Sequence, residues 1–155
     1  MNGGTVESIN VSDGGVPKRP VTRARVTMLG VEGDRQDDLV HHGGPDRAVC
    51  LFSADVIASL RSEGHPIEAG TTGDNLTISG LDWSAITPGT RLRVGGSVEL
   101  EITSYTTPCK TIAGSFTDGG FVRILQDRHP GESRVYARVL GEGEVAPGDA
   151  VEVVA

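Results

Sequence analysis

Along this chain apolar and polar residues trade places in short runs, broken by glycine and proline, and that rhythm predicts strands more than helices. Thr5-Val6-Glu7-Ser8-Ile9-Asn10-Val11 mixes polar and apolar residues in the alternating manner of a strand. The turn-forming segment Asp13-Gly14-Gly15-Val16-Pro17 ends it. Arg25 to Leu29 is a second candidate strand, closed by Gly30 and Gly33. From Asp34 to Asp46 the chain is densely polar. Its centre, His41-His42-Gly43-Gly44-Pro45-Asp46, is expected to be irregular because glycine and proline interrupt it. Ala48-Val49-Cys50-Leu51-Phe52 is a continuous apolar run and reads as a buried strand. Ser53 is a natural helix cap, and Ala54 to Ser62 follows with Val56, Ile57 and Leu60 on one face until Gly64 stops it.

Gly70-Thr71-Thr72-Gly73-Asp74-Asn75 is a loop feeding the strand Leu76-Thr77-Ile78. Arg91 to Val94 and Val98 to Ser104 form a hairpin across Gly95-Gly96. The periodicity of Phe121 to Leu125 is compatible with either a short helix or a strand. Arg134 to Leu140 alternates with Val135, Ala137 and Val139 inward, which turns Arg138 outward, and Ala150 to Val154 closes the chain as a final strand. About eight strands with one or two helices imply a mostly β domain, of barrel or sandwich type. With no repeat and no linker, residues 1–155 are expected to form one domain, with its core over about residues 5–154.

Composition sharpens this picture. Among 155 residues there are 22 Gly and 8 Pro, which suits short elements joined by tight turns. A net charge of -7 argues against nucleic acid and anionic lipid as partners, since both are bound by clustered Lys and Arg. Apart from Lys18, Arg19, Arg23 and Arg25 the basic residues are scattered, so an anionic small molecule needs a local basic pocket that works against the overall field. No run approaches the ~18 apolar residues of a membrane span, and no apolar signal core follows Met1. The expectation is a cytoplasmic protein whose two cysteines, Cys50 and Cys109, are free thiols.

Cys109 is the sharpest chemical feature. It leaves a strand behind Pro108, which holds the preceding backbone extended, and it precedes the positive Lys110. Its thiolate is the form that binds soft metals and attacks electrophiles, while an inert thiol at a strand end is the competing reading. Cys50, between Val49 and Leu51, reads as a small core residue. In His42-Gly43-Gly44-Pro45-Asp46-Arg47 the glycine-flanked amides can form an anion-binding concavity, and Arg47 can grip phosphate. A tight turn accounts for Gly43 and Gly44 equally well. His41, His42, His65 and His129 do not have the spacing of a zinc site. Thr71, Thr72, Asp74 and Asn75 offer hydrogen bonds to a polar ligand or, alternatively, to their own turn.

Taken in order, five segments resemble the MOSC domain, the module named for the C-terminal part of molybdenum-cofactor sulfurases. They are Gly30-Val31-Glu32-Gly33-Asp34-Arg35-Gln36, His42-Gly43-Gly44-Pro45-Asp46-Arg47-Ala48-Val49, Gly73-Asp74-Asn75-Leu76, Pro108-Cys109 and Gly148-Asp149. The resemblance implies a β-barrel-like fold and a pocket for the molybdenum cofactor (molybdopterin), a phosphate-bearing pterin dithiolene; pyridoxal phosphate is not expected. It assigns Cys109 as the ligand of molybdenum or the handler of transferable sulfur. Lys18, Arg35, His42, Gly43, Gly44, Asp46, Arg47, Asp74, Asn75 and Arg138 are the candidates around the cofactor. It further implies a reductase of N-hydroxylated and related N-oxygenated small molecules, fed electrons by a separate flavin or iron–sulfur reductase. The alternative is a module that carries the cofactor or a persulfide without turnover. Two departures stand out: Asp74 occupies a place where the family often has Glu, and Thr106-Thr107 stand where Arg or Gln often precedes Pro-Cys. The second removes a cation from beside an anionic cofactor.

Overall fold

The computed structural model describes residues 3–35 and 44–154. Its first half runs β1 (Gly3–Val11), β2 (Arg19–Val21), β3 (Ala24–Thr27), β4 (Gly30–Val31), β5 (Val49–Ser53), α1 (Ala54–Ser62) and β6 (Leu76–Ser79). The second half adds β7 (Arg91–Val94), β8 (Val98–Tyr105), β9 (Val135–Gly141), β10 (Gly143–Val145) and β11 (Ala150–Val154). The strands β11-β7-β8-β9-β5-β6-β1 pair in that order, and β1 pairs back to β11, so they close into a barrel with β2 as an appendage on β1. Closure removes the exposed edges that an open sheet of this length would carry. Only β5 and β6 are parallel within it. Parallel neighbours need a crossover connection, and α1 is that crossover. A second small sheet, β10-β3-β4, packs beside the barrel.

The barrel interior is filled by the inward members of each alternating strand, among them Ile9, Leu51, Leu76, Leu92, Leu100 and Val151, all at 0% exposure. Because β5 is buried on both faces it reads as an unbroken apolar run. Val49 and Leu51 face the barrel core, while Phe52 joins a separate cluster with Ile57, Leu60, Ile67, Ile112, Phe116 and Ile124. That outer cluster seats α1 and two short 3-10 segments, Lys110–Ser115 and Phe121–Ile124, against the barrel wall. At the start of α1, Ser53 Oγ accepts from Val56 N at 3.1 Å, as the cap motif predicts.

The mostly β, barrel-like expectation holds, with several local corrections. The predicted strand from Arg25 to Leu29 ends at Thr27, because Met28 and Leu29 form the turn into β4; Leu29 is 89% exposed. Pro45–Arg47 is a 3-10 turn rather than wholly irregular chain, since a proline at its start lacks only an N–H that would go unused there. Phe121–Ile124 is likewise a 3-10 turn. The strand expected from Arg134 begins at Val135. Two short strands, β2 and β10, pair through tertiary contacts that no local alternation announces.

Candidate functional site

The site grows from loops gathered around one segment, residues 70–75. Gly70 sits at φ 84°, and a Cβ there would come within 2.5 Å of Lys18 O, so only glycine fits. The close approach lets Lys18 N donate to Gly70 O at 2.9 Å. The Lys18 ammonium then turns inward and donates to Asp34 Oδ1 at 2.6 Å, with the two side chains 5% and 4% exposed. A buried charge is tolerated when paired and hydrogen-bonded, and Asp34 meets that condition on both oxygens. Ser12 N donates to Oδ1 at 2.9 Å and Asn75 Nδ2 to Oδ2 at 3.0 Å.

Asn75 is a stitch between elements. Its Oδ1 accepts from Cys50 N at 3.0 Å, its Nδ2 also donates to Asn10 O at 3.2 Å, and its own N–H donates to Cys50 O at 2.7 Å. Asp74 has a different task. Its carboxylate is wholly buried and accepts from Gly70 N at 3.1 Å, Thr72 Oγ1 at 3.1 Å and Thr77 Oγ1 at 2.5 Å. Burial pushes its pKa up, against the pull of these donors. Asp74 thus folds its own loop.

The opposite flank of the loop is held by Arg134, which sequence reasoning placed merely at the head of an alternating strand. Its side chain is buried, and Nη1 donates to Thr72 O at 2.5 Å. Its carbonyl accepts from Thr106 N at 2.9 Å, which ties the chain ahead of Pro108 to the same flank. Thr106 Oγ1 lies 3.9 Å from Cys50 Sγ. Cys50 is buried, as expected, yet it sits in neither apolar cluster; its outward position on β5 faces Thr106 and pairs in register with Tyr136. Burial pushes its pKa up to about 11, with the positive charge of Arg134 opposing. Burial likewise raises the Tyr136 hydroxyl.

Cys109 follows these anchors. Pro108 is buried, whereas Cys109 is only partly so, with its Sγ 2.9 Å from Thr111 Oγ1. The 3-10 segment Lys110–Ser115 carries it back to the loop, where Ser115 Oγ donates to Thr71 Oγ1 at 2.9 Å. Lys18, Arg134 and the Cys109 segment therefore share one scaffold, residues 70–75.

The remaining candidates lie farther out. Arg35 is more than half exposed and bonds Asp13 through Nε at 3.0 Å and through Nη2 to its carbonyl at 2.6 Å. Arg138 is an outward residue, as the alternation predicts, and its Nη2 lies 3.4 Å from Asp46 Oδ1. The Asp46 carbonyl accepts from Thr103 Oγ1. The Arg47 guanidinium stands 5.9 Å from the centre of the Tyr136 ring. Gly44 is exposed at φ 82° beside the 3-10 turn. His42 and Gly43 lie outside the described residues. A shallow cleft of about 340 Å³ beside α1, bounded by Val56, Trp83 and Pro130, is lined by none of the candidates. Asp34 and Arg134 are the two central residues that sequence reasoning left off its list. Asp34 had a signal in its motif; Arg134 had none.

Comparison with known proteins agrees with this architecture. The MOSC domain profile matches residues 38–152. YflK of Bacillus subtilis (strain 168) is 34% identical over 142 residues, which is 90% of this chain and 63% of YflK. YiiM of Escherichia coli (strain K12) is 26% identical over 133 residues, 83% of this chain and 58% of YiiM, so the chain spans about three fifths of each relative. The crystal structure of YiiM from Geobacillus stearothermophilus superposes with a TM-score of 0.74 at 24% identity, covering 98% of this chain and 75% of that one, and shows the same fold. With a matching profile over most of its length and a relative above 30% identity, the chain belongs to the MOSC domain family, a family associated with molybdenum-cofactor binding.

Proposed function

We propose that this protein binds the molybdenum cofactor and reduces N-hydroxylated or related N-oxygenated small molecules in the cytoplasm, with electrons from a separate flavin or iron–sulfur reductase. The observation that carries the reading is the placement of Cys109: a partly exposed thiol on a segment braced by buried Pro108 and by the Ser115–Thr71 hydrogen bond to the 70–75 loop. The residues present fit the group. Cys109 offers a soft thiolate donor suited to a dithiolene-bound metal, and the loop beside it is flanked by two buried cations, Lys18 and Arg134. When bound, the cofactor supplies a centre that accepts and donates electrons.

Each residue then has a task of its own. Cys109 ligates the metal. The 70–75 loop is the scaffold that the Cys109 segment bonds through Thr71, and Asp74 and Asn75 hold its shape. Lys18, neutralised by Asp34, braces one flank of the loop; Arg47 and Arg35 stand toward the rim, where anionic edges meet solvent. In the overall reaction the N–O bond of an N-hydroxylated amine breaks, two electrons and two protons enter, and amine and water leave. The partner reductase is oxidised by the same two electrons.

The test is molybdenum analysis and pterin fluorescence on protein made in a molybdate-supplied host, comparing wild type with Cys109→Ser, followed by turnover of an N-hydroxylated base with a supplied reductase. About one molybdenum and one pterin per chain, with molybdenum depleted in Cys109→Ser and turnover confined to wild type, is the expected result. Tight cofactor binding without turnover assigns the protein as a carrier, and absence of both molybdenum and pterin removes the proposal's basis.

A further inference from the structure

Arg134 presents a problem that the fold alone does not solve. It is 4% exposed, and among the described residues no carboxylate lies within ion-pair distance of it. Nη1 donates to Thr72 O, Nε is buried with no hydrogen-bond partner, and Nη2 makes no hydrogen bond to a described residue. Arg123 also has an unpartnered buried nitrogen, but its guanidinium is held by Glu63 at 2.7 Å and Glu132 at 3.0 Å. Among the described residues Arg134 has no such counter-charge. A guanidinium always carries its proton, so it cannot escape the penalty of burial by neutralising. A buried charge left this way is destabilising unless something anionic completes it.

The surroundings say where that anion belongs. Arg134 reaches the 70–75 loop through Thr72, and its backbone pairs with Thr106 just ahead of Pro108-Cys109. The guanidinium thus bonds the same loop that Ser115 of the Cys109 segment bonds through Thr71.

We infer that Arg134, immediately ahead of β9, is an oxyanion-binding residue of this site. The inference rests on the proposed cofactor reading for its natural ligand, the phosphate of the pterin, but the same guanidinium recognises free phosphate by the same chemistry. Arginine suits the role because its planar fork retains directional donors after one nitrogen is engaged by Thr72.

The experiment uses wild type, Arg134→Gln and Arg134→Lys, each prepared twice. One set comes from a cofactor-competent host and is assayed for released pterin. The other is cofactor-free and is followed by thermal unfolding while inorganic phosphate is titrated against chloride at constant ionic strength. Phosphate should raise the wild-type unfolding temperature. Arg134→Gln should lose that response and at least about tenfold in pterin content, while unfolding without phosphate no lower than wild type. Arg134→Lys, which keeps the charge without the fork, should fall between them and serves as the folded comparison if the glutamine variant does not fold.

A purely structural Arg134 predicts the reverse: lower stability in both variants, with phosphate response and pterin content per folded chain unchanged, and this overturns the inference. The two readings separate cleanly. If wild type holds no pterin yet its phosphate response depends on Arg134, the oxyanion site stands and the cofactor assignment fails. If pterin is bound equally by wild type and both variants, the cofactor assignment stands and the role of Arg134 falls. If wild type holds no pterin and does not respond to phosphate, both fall.

Discussion

The 70–75 loop is gripped from two sides, and the two sides treat a buried positive charge differently. On one flank Lys18 meets Asp34 at 2.6 Å, and Asp34 is in turn held by Ser12 and Asn75. On the other, among the described residues the Arg134 guanidinium bonds only the carbonyl of Thr72. The first arrangement is complete within the protein and accounts for the shape of the loop. The second is incomplete, and an incomplete buried charge marks a place where binding, more than folding, has set the residue. The contrast teaches that two cations at similar depth can serve different ends, and that the counter-charge distinguishes them.

Breaking the complete flank should have the largest effect. Asp34→Ala strands the Lys18 ammonium, removes the acceptor of Ser12 N and takes one of two acceptors from Asn75 Nδ2. The expected loss is about 3–5 kcal/mol in urea unfolding, and Asp34→Ala with Lys18→Met should regain at least ~1 kcal/mol by removing the stranded charge. A single-variant loss below ~1 kcal/mol would show that the pair does not compensate Lys18 at all.

A second prediction probes the Arg134 flank through Cys50. Its folded-state pKa of about 11 lies above the ordinary 9.0, chiefly because burial disfavours the thiolate. The associated stability is therefore fully present below pH 9 and is lost as pH rises through about 11, amounting to about 2–3 kcal/mol over that window. Denaturant midpoints collected between those limits should fall in wild type and flatten in Cys50→Ala. Since Arg134 pulls the Cys50 pKa down, Arg134→Gln should carry the loss to higher pH.

The smallest effect belongs to a third cation. Arg138 pairs with Asp46 at 3.4 Å, with side chains 46% and 68% exposed. Solvent already stabilises both charges, so Arg138→Ala should change stability by less than ~0.5 kcal/mol, and added salt should erase even that. A larger change would move Arg138 from the rim into the group of buried cations.

Much of this was legible without coordinates wherever a feature is local. The Ser53 cap and the helix Ala54–Ser62 follow from neighbouring residues, as does the hairpin of β7 and β8 across Gly95-Gly96. Cys50 was legible only in part: an apolar run predicts burial, yet it does not say that the outward face of a twice-covered strand meets Thr106 and Tyr136. Asp34 lay inside a quoted motif, but its partners come from residues 12, 18 and 75.

By itself the sequence determined the strand-rich class, the one α-helix among the described residues, the position of Cys109 behind Pro108 just past a strand and the glycine-bearing loops, because periodicity, capping and turn chemistry act over a few residues. Only the tertiary structure decided that β1 closes on β11, that Lys18 is neutralised by Asp34, and that Arg134 is not neutralised among the described residues. Barrel closure and charge compensation join residues far apart along the chain, and no local pattern records which distant partner a buried group will find.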